Sequence, residues 1–580
     1  MDLFKNYSTA WSHVIVETLV SGGVVQAYVS PGYRDAPMIA ALTANPKVTT
    51  TSCIDERAAG YLGLGYGRAT NKPALLLCTS GTAGANYLPA VIEASQDHVP
   101  MIIITTDRPF ELVYSGANQV VDQSHFYSGY CRKYIPFPAA DGSLQPKVIA
   151  AHAQLLLRRS LGPSPGPVHL NLPFREPLEP VAGKDRPSKE WQDFKLKTID
   201  QYEMLQSSVA LSDNQLDGIV GLIKQSDRGV LILGRMEATI DTDGLMSWVQ
   251  ALGWPVYADT LSQVRWHAKM NSLVDVQLPD SMSSLAAYNP DCVIHLGQRL
   301  ISKWYDKFLE EYVGEYIVVS NTMDHQDPSH TATLIQTEPM ELVRRSYKRL
   351  KQCSLATSFE ELENKSAILK HLIKDELDGE VFGFASLASD LIKYGKIGAL
   401  FIGNSSAIRA FDSWCYDKPL AITEGFYPQV FANRGVSGIE GQLATAIGVS
   451  MGLKNRVTLV IGDVSMIHDL NSLLLLKHAN VTVVIVNNNG GSIFRSLPIA
   501  AHQNLLSPWL ETPHAFDFEG VAQMAAIPWV KTENRQSFEN AIRNDVETSQ
   551  IIEVALTSES EKEQLNSLKN IRDEGIHDKN

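Results

Sequence analysis

At 580 residues the chain is too long for a single hydrophobic core, and three domains are the natural division. Its 44% apolar and 20% charged residues are those of an ordinary soluble globular protein, and a net charge of −14 argues against a nucleic-acid partner. Six scattered cysteines without a C-x-x-C argue against a disulfide framework or a zinc site. No basic start leads into an apolar core and no apolar run reaches membrane-spanning length, so the expectation is no membrane partner and a cytoplasmic location.

Residues 1 to about 180 alternate strands with helices. Ala27 to Ser30 predicts a short strand ending in Pro31-Gly32-Tyr33-Arg34-Asp35, a strand-to-helix turn. Val48 to Ile54 is β-branched and extended, and delivers Asp55-Glu56-Arg57 to an Ala/Gly-rich helix, Ala58 to Ala69. Ala74 to Cys78 predicts a buried strand feeding Thr79-Ser80-Gly81-Thr82-Ala83, and Met101 to Thr105 another that ends at Asp107-Arg108-Pro109. Repeated strand, polar turn and helix is the pattern of a doubly wound parallel sheet, so the fold class is α/β. Gly63, Gly65 and Gly67 mimic part of a dinucleotide fingerprint, but they fall inside the predicted helix, where close helix packing is the expected reason.

A Pro- and charge-rich segment, Glu176 to Ser188, closes this first domain. Residues 195 to 350 form a second, smaller α/β layer with strands predicted at Gly229–Gly234, Pro255–Ala258, Cys292–Gly297 and Tyr316–Ser320. Residues 345 to 375 read as a charged, helical linker, residues 376 to 558 as a third domain, and 559 to 580 as a polar, frayed tail.

The third domain holds the stretch around which the chain is organised, Thr458 to Phe494. A buried strand ends at Gly462-Asp463, an apolar helix passes through Leu473 to Leu476, and a second buried strand, Val481 to Val486, runs into Asn487-Asn488-Asn489-Gly490-Gly491. Neighbouring parallel strands would bring Asp463 and Asn488 together at the carboxyl edge of the sheet, where ligands bind. The Asp463 carboxylate, the Asn488 amide oxygen and the Gly490 carbonyl would form a hard oxygen site for Mg²⁺ or Mn²⁺, with positions left for phosphate oxygens and water. A GD pair followed by NN resembles the diphosphate–Mg²⁺ motif of thiamine-diphosphate enzymes. Such a site needs a glutamate elsewhere, hydrogen-bonded to the aminopyrimidine so that the cofactor deprotonates itself, and Glu56 supplies it. The bent cofactor also needs a bulky apolar residue beneath it, for which Ile439 is the candidate.

From Trp11 to about Val554 the chain resembles one family, the 2-succinyl-5-enolpyruvyl-6-hydroxy-3-cyclohexene-1-carboxylate (SEPHCHC) synthases of menaquinone biosynthesis. The carrying motifs are Ser30-Pro31-Gly32-x-Arg34, Asp55-Glu56-Arg57, Thr79-Ser80-Gly81-Thr82-Ala83, Asp107-Arg108-Pro109, Gly116-Ala117-Asn118-Gln119, Gly403-Asn404-Ser405, Asn433-Arg434-Gly435, Asp469-Leu470-Asn471 and Asn487-Asn488-Asn489-Gly490-Gly491-x-Ile493-Phe494. The resemblance implies pyrimidine-binding, central and diphosphate-binding domains in that order. It also implies a homodimer or homotetramer with active sites at the subunit interface. The implied reaction is decarboxylation of 2-oxoglutarate and 1,4-addition of the succinyl-semialdehyde carbanion to isochorismate or a similar acceptor. Further cofactor contacts are implied for Pro31, Thr82, Gly462, Val464, Ser465, Ile493 and Phe494.

Ser405 and Arg409, at i and i+4, can face one ligand, and the family associates them and Arg434 with the far carboxylate of the donor. Arg34, Arg108, Asn118, Gln119 and Lys303 occur where the family binds isochorismate or its adduct, with Phe494 as an apolar wall. Two positions depart from the family pattern: Tyr33 replaces a serine, and Trp304 follows Lys303 where the family has an arginine, which exchanges a permanent charge for a flat ring. Three alternatives stay open. One is a paralogue that uses 2-oxoglutarate with a different acceptor in secondary metabolism, the second is a simple 2-oxoacid decarboxylase or acetolactate-type ligase, and the third is a cofactor-binding scaffold without activity.

Overall fold

The computed structural model describes residues 2–195, 209–273, 285, 287–322, 324, 326–350, 359–416, 427–544 and 546–577. The chain folds as two compact units, the first from Met1–Ser207, Asn433–Asn455 and His468–Asn480, the second from Ser208–Ala432, Arg456–Ile467 and Val481–Asn580.

The first unit is built on six parallel strands: β1 (Gln26–Ser30), β2 (Thr49–Ser52), β3 (Ala74–Cys78), β4 (Met101–Asp107), β5 (Lys133–Pro136) and β6 (Pro167–Pro173), in the order β2-β1-β3-β4-β6-β5. β3 and β4 are buried along their whole length, as the apolar and β-branched runs Ala74–Cys78 and Met101–Thr106 require of strands covered on both faces. One face packs on Trp11, which stacks with Trp191 at 6.2 Å and donates its indole N–H to the Asp141 carbonyl at 3.0 Å. The predicted helix at 58–69 runs Glu56–Thr70 and lies against Gln442–Leu453. A Cβ on Gly65 would stand 2.0 Å from the Thr445 carbonyl oxygen, and one on Gly448 2.2 Å from that of Leu62, so these glycines do serve close helix packing. The helix expected through Leu473–Leu476 is instead a 3-10 helix, Leu470–His478.

His169, inside β6, meets the Thr105 hydroxyl at 2.7 Å beneath the rings of Tyr127 and Tyr134, and burial pushes its pKa down to about 3. Between pH 6.5 and about 3 the unfolded chain therefore takes up a proton there that the folded chain refuses, and stability falls as the pH falls. This histidine removes about 2 kcal/mol between pH 7 and pH 5. In His169→Gln that part of the slope is expected to vanish from urea melts at the two pH values.

The second unit carries two sheets. The central one contains β7 (Gly229–Leu233), β8 (Val256–Ala258), β9 (Cys292–Leu296), β10 (Glu315–Ser320) and β11 (Thr333–Gln336), in the order β11-β10-β9-β7-β8. The other contains β12 (Ala399–Ile402), β13 (Gln429–Phe431), β14 (Val457–Gly462), β15 (Val481–Asn487), β16 (Trp529–Thr532) and β17 (Gln550–Ala555), in the order β13-β12-β14-β15-β17-β16. That order repeats the winding of the first unit's sheet strand for strand. Within this unit Asp259, Arg265 and Asp412 form a buried charged cluster. Arg265 donates to the carbonyls of Ala258 at 2.6 Å and Asp412 at 2.8 Å, and lies over the Tyr416 ring at 4.5 Å.

The region 345–375 is largely helical, as its sequence predicts, in Pro339–Leu350 and Glu360–Asp378, with 351–358 outside the described residues. One expectation changes. The segment expected to fray is a helix, Ser558–His577. Gln564 accepts from the N–H groups of Ala385 and Ser386 and donates to the Val381 carbonyl at 3.1 Å, and Leu568 is fully buried, so this helix is docked. Among the described residues no helix is long and apolar enough to cross a membrane.

Candidate active site

In the first unit the crossovers leave β1 and β3 in opposite directions, and this switch point opens a crevice at the strands' carboxyl ends. The loops there carry Pro31 and Arg34 after β1, Glu56 after β2, Thr82 after β3 and Arg108 after β4. A Cβ on Gly32 would lie 2.4 Å from that of Thr79, so the first and third loops touch where only hydrogen fits. Arg34 is buried and donates to the Phe174 carbonyl at 2.9 Å, while Arg108 donates to the Ser80 hydroxyl. Gln119 adopts a left-handed φ of 61° and donates to the Ser80 carbonyl at 3.0 Å. Asn118 and Thr82 are exposed.

Glu56 opens its helix behind the N-cap Asp55, whose carboxylate accepts from Arg57 N–H at 2.9 Å and from the Asn471 amide at 3.0 Å. The Glu56 carboxylate accepts one bond, from the Asn86 amide at 3.3 Å, and stays half-buried. Arg434 and Ile439 belong to the same unit, on a loop pinned by Glu93, which accepts from Gly435 N–H and Val436 N–H at 2.7 Å each. Ile439 is 37% exposed, a large apolar side chain left uncovered at the surface of its unit.

In the second unit the switch point falls between β12 and β14. Ser405, after β12, holds φ 67° and ψ −126°, a conformation that only glycine adopts without strain. Its carbonyl accepts from the Arg409 guanidinium at 2.8 Å, so the strained turn aims the arginine. Ser405→Gly is expected to stabilise the protein by about 1 kcal/mol while raising the KM for the donor substrate, read by thermal melts beside steady-state kinetics.

Asp463 follows β14 and is 2% exposed. One carboxylate oxygen accepts from Val464 N–H at 2.7 Å; the other accepts from Gly490 N–H at 2.9 Å and Asn488 N–H at 3.2 Å. Parallel pairing of Gly462 with Val486 supplies this proximity, as expected from the βαβ reading. Asn488 donates its amide N–H groups to Ser492 Oγ at 2.7 Å and Glu561 Oε2 at 2.9 Å, which leaves its Oδ1 as an acceptor. Gly490 sits at φ 133°, and a Cβ there would come 2.3 Å from the Glu511 carbonyl oxygen. Val464 is half-buried and Ser465 buried, and a Cβ on Gly462 would meet nothing within 4 Å, so open space lies beside that strand end. Ile493 and Phe494 are half-buried on the following 3-10 turn, Ser492–Ser496.

Lys303 and Trp304 follow β9. The Trp304 ring has the Lys303 ammonium 5.5 Å and the Lys307 ammonium 4.4 Å from its centroid. Tyr33 is 60% exposed and donates to Glu179.

Two neighbours of the oxygen cradle had no signal in the sequence. His514 Nε2 lies 3.2 Å from Asp463, its Nδ1 accepts from Phe516 N–H at 2.9 Å, and so the neutral ring donates to the carboxylate. Glu561 reaches the same cradle from the C-terminal helix. Among the described residues no group of three His, Cys, Asp or Glu could hold a metal, so a cation here would rely on one carboxylate and neutral oxygens. Burial pushes the carboxyls of both Asp463 and Glu561 above their usual range, and Asp463 adds to the rise at Glu561. The Asp463 carboxylate, the Asn488 Oδ1 and the Gly490 carbonyl, which accepts one bond from Ser492 N–H at 2.9 Å and keeps a second lone pair, are an oxygen set that fits a hard divalent cation.

Three family matches cover most of the chain: "Thiamine pyrophosphate enzyme, N-terminal TPP binding domain" at residues 10–126, "Middle domain of thiamine pyrophosphate" at 187–402, and "Thiamine pyrophosphate enzyme, C-terminal TPP binding domain" at 422–554. The SEPHCHC synthase of Syntrophus aciditrophicus (strain SB) is 35% identical, with 99% of this chain and 100% of that relative covered. The chain belongs to the SEPHCHC synthase family. Members from Chlorobium phaeobacteroides (strain BS1) and Chlorobaculum tepidum are 34% and 35% identical, covering 92% and 96% of each partner in the comparison. A thiamine diphosphate-dependent 4-hydroxybenzoylformate decarboxylase of Rhodococcus jostii RHA1 superposes with a TM-score of 0.72 over 94% of this chain and 99% of that one; at 16% identity it shows the shared fold. The synthase family's three-domain α/β architecture is thus the one observed, with one parallel sheet per domain.

Proposed function

We propose that this chain is a SEPHCHC synthase that takes 2-oxoglutarate as donor and isochorismate as acceptor, with thiamine diphosphate and Mg²⁺ or Mn²⁺. The observation that carries the reading is the cradle of Asp463, Asn488 and Gly490 at the end of two paired strands, in a chain that also presents Glu56 at a helix start. Thiamine diphosphate, when bound, supplies the nucleophilic carbon and electron sink for losing CO₂ from a 2-oxoacid and forming a carbon–carbon bond.

In this reading residues 1–180 bind the pyrimidine, 195–350 form the central domain and 376–558 bind the diphosphate. Asp463, Asn488 and Gly490 hold the cation, with Gly462, Val464 and Ser465 lining the diphosphate side. Glu56 exchanges a proton with the aminopyrimidine, while Pro31, Thr82, Ile439, Ile493 and Phe494 shape the rest of the cofactor pocket. Ser405, Arg409 and Arg434 clamp the donor's far carboxylate. Arg34, Arg108, Asn118, Gln119 and Lys303 orient the acceptor, with Phe494 as a wall. The protein works in the cytoplasm as a homodimer or a pair of dimers, with each site completed by two subunits; exposed Ile439 is a side chain that such a site would cover.

In this reading Lys307, whose ammonium lies 4.4 Å from the Trp304 ring centroid, takes over the charge that the family's arginine would carry. Incubation with 2-oxoglutarate, isochorismate, thiamine diphosphate and Mg²⁺ tests the proposal. It predicts CO₂ release together with the SEPHCHC adduct by mass spectrometry; prompt CO₂ release with no adduct would reject isochorismate as acceptor.

A further inference from the structure

The amide of Asn488 has two chemically opposite ends, and only the oxygen end can ligate a cation. Ser492, one of its two partners, carries a hydroxyl that both donates and accepts, so it tolerates either orientation. The other partner is the Glu561 carboxylate, an oxygen acceptor that bonds the NH₂ end and would repel the carbonyl end. We propose that Glu561 is a positioning residue that sets the polarity of the Asn488 amide, holding its NH₂ away so that Oδ1 faces the cation.

Three observations on the C-terminal helix support this. Glu561 is 6% exposed, so its bond to Asn488 is protected from competing water. It sits on the first turn of a helix anchored one turn later by Gln564, through bonds to Ala385, Ser386 and Val381. Arg495 contributes a favourable charge at Glu561 while its own side chain pairs with Glu511, whose carbonyl accepts from Gly491 N–H at 2.7 Å. The last helix and the glycine turn after β15 are thus one bonded assembly, and the helix is a working part of the cradle.

The inference rests on the assignment of Asp463, Asn488 and Gly490 as cation ligands. Its test is the free Mn²⁺ signal by electron paramagnetic resonance, with full-length protein titrated in saturating thiamine diphosphate. Glu561→Ala is expected to weaken Mn²⁺ binding about 10–100-fold, the usual cost of losing the partner that orients a ligand. Glu561→Gln, which keeps an acceptor oxygen, should recover most of that loss. Leu568→Ala loosens the helix without touching the amide, and should lower the melting temperature of the cofactor-free protein while leaving Mn²⁺ affinity near wild type. Unchanged affinity in Glu561→Ala would overturn the proposal, as would equal weakening in Leu568→Ala, which would reduce Glu561 to helix docking. If the wild type itself takes up no Mn²⁺ with the cofactor, the cradle assignment falls and this inference with it, a result distinct from the other two.

Discussion

Glu56→Gln is expected to lower kcat about 10²–10⁴-fold while thiamine diphosphate still binds, because the amide keeps the shape of the carboxyl and loses its proton. The Glu56 carboxylate is poised for this work: it accepts a single hydrogen bond, from Asn86 at 3.3 Å, and is half-buried, so a second partner has room to claim it. Its position at the first residue of Glu56–Thr70 gives it the helix dipole, and the N-cap bond from Asp55 to Arg57 N–H fixes where that helix begins. Turnover and cofactor affinity, the latter from quenching of tryptophan fluorescence, separate the two effects. Loss of affinity with unchanged kcat would make Glu56 a binding group only, and activity within tenfold of wild type would remove it from the chemistry.

Arg265→Ala is expected to cost about 3–5 kcal/mol in chemical denaturation, the largest stability loss foreseen for a single side chain here. Removing the guanidinium takes a buried positive charge away from two buried carboxyls, Asp259 and Asp412, whose charged forms it favours. Asp259 accepts from Leu261 N–H and Ile301 N–H at 2.7 Å each, and Asp412 accepts from Thr260 N–H at 3.3 Å. Burial, with Asp412 beside it, pushes Asp259 up to about 7. A carboxyl raised in this way binds a proton in the folded state between about pH 7 and its unfolded value near 4, so stability from this group rises as the pH falls through that window. The penalty in Arg265→Ala is therefore larger above pH 7, where Asp259 is ionised, than at pH 5. A loss that does not depend on pH would assign the defect to the missing contact with the Tyr416 ring instead.

The strands that bind nothing but their neighbours were legible because burial on both faces demands unbroken apolar runs. Ala74–Cys78 carries such a run and forms over those residues, and the strand predicted to end at Gly462 does so. The candidate site residues stood out for a related reason. Asp463, Asn488 and Arg108 are polar residues placed where an apolar run stops, Glu56 follows a β-branched strand, and within each parallel sheet such stops lie on one edge. Lys133–Pro136 escaped notice because that edge strand alternates charge, aromatic ring and proline, with one residue buried. The C-terminal helix looked like a loose tail because two of the positions it buries, Glu561 and Gln564, are polar and earn their burial through hydrogen bonds. His514 and Glu561 lie 51 and 73 residues from the atoms they touch on Asp463 and Asn488, so only tertiary structure brings them to the cradle. The identical winding of the first and last sheets was equally hidden, since strand order leaves no local trace.

The central claim is that a carboxyl from the first sheet and an oxygen cradle from the last serve one cofactor. A crystal structure of the protein grown with thiamine diphosphate and Mg²⁺ tests it most directly. The expected result is a cation held by Asp463, the Asn488 amide oxygen and the Gly490 carbonyl at about 2.0–2.1 Å, with Glu56 within hydrogen-bonding distance of the pyrimidine. A cation bound elsewhere, or a pyrimidine out of reach of every Glu56 in the assembly, would contradict the account.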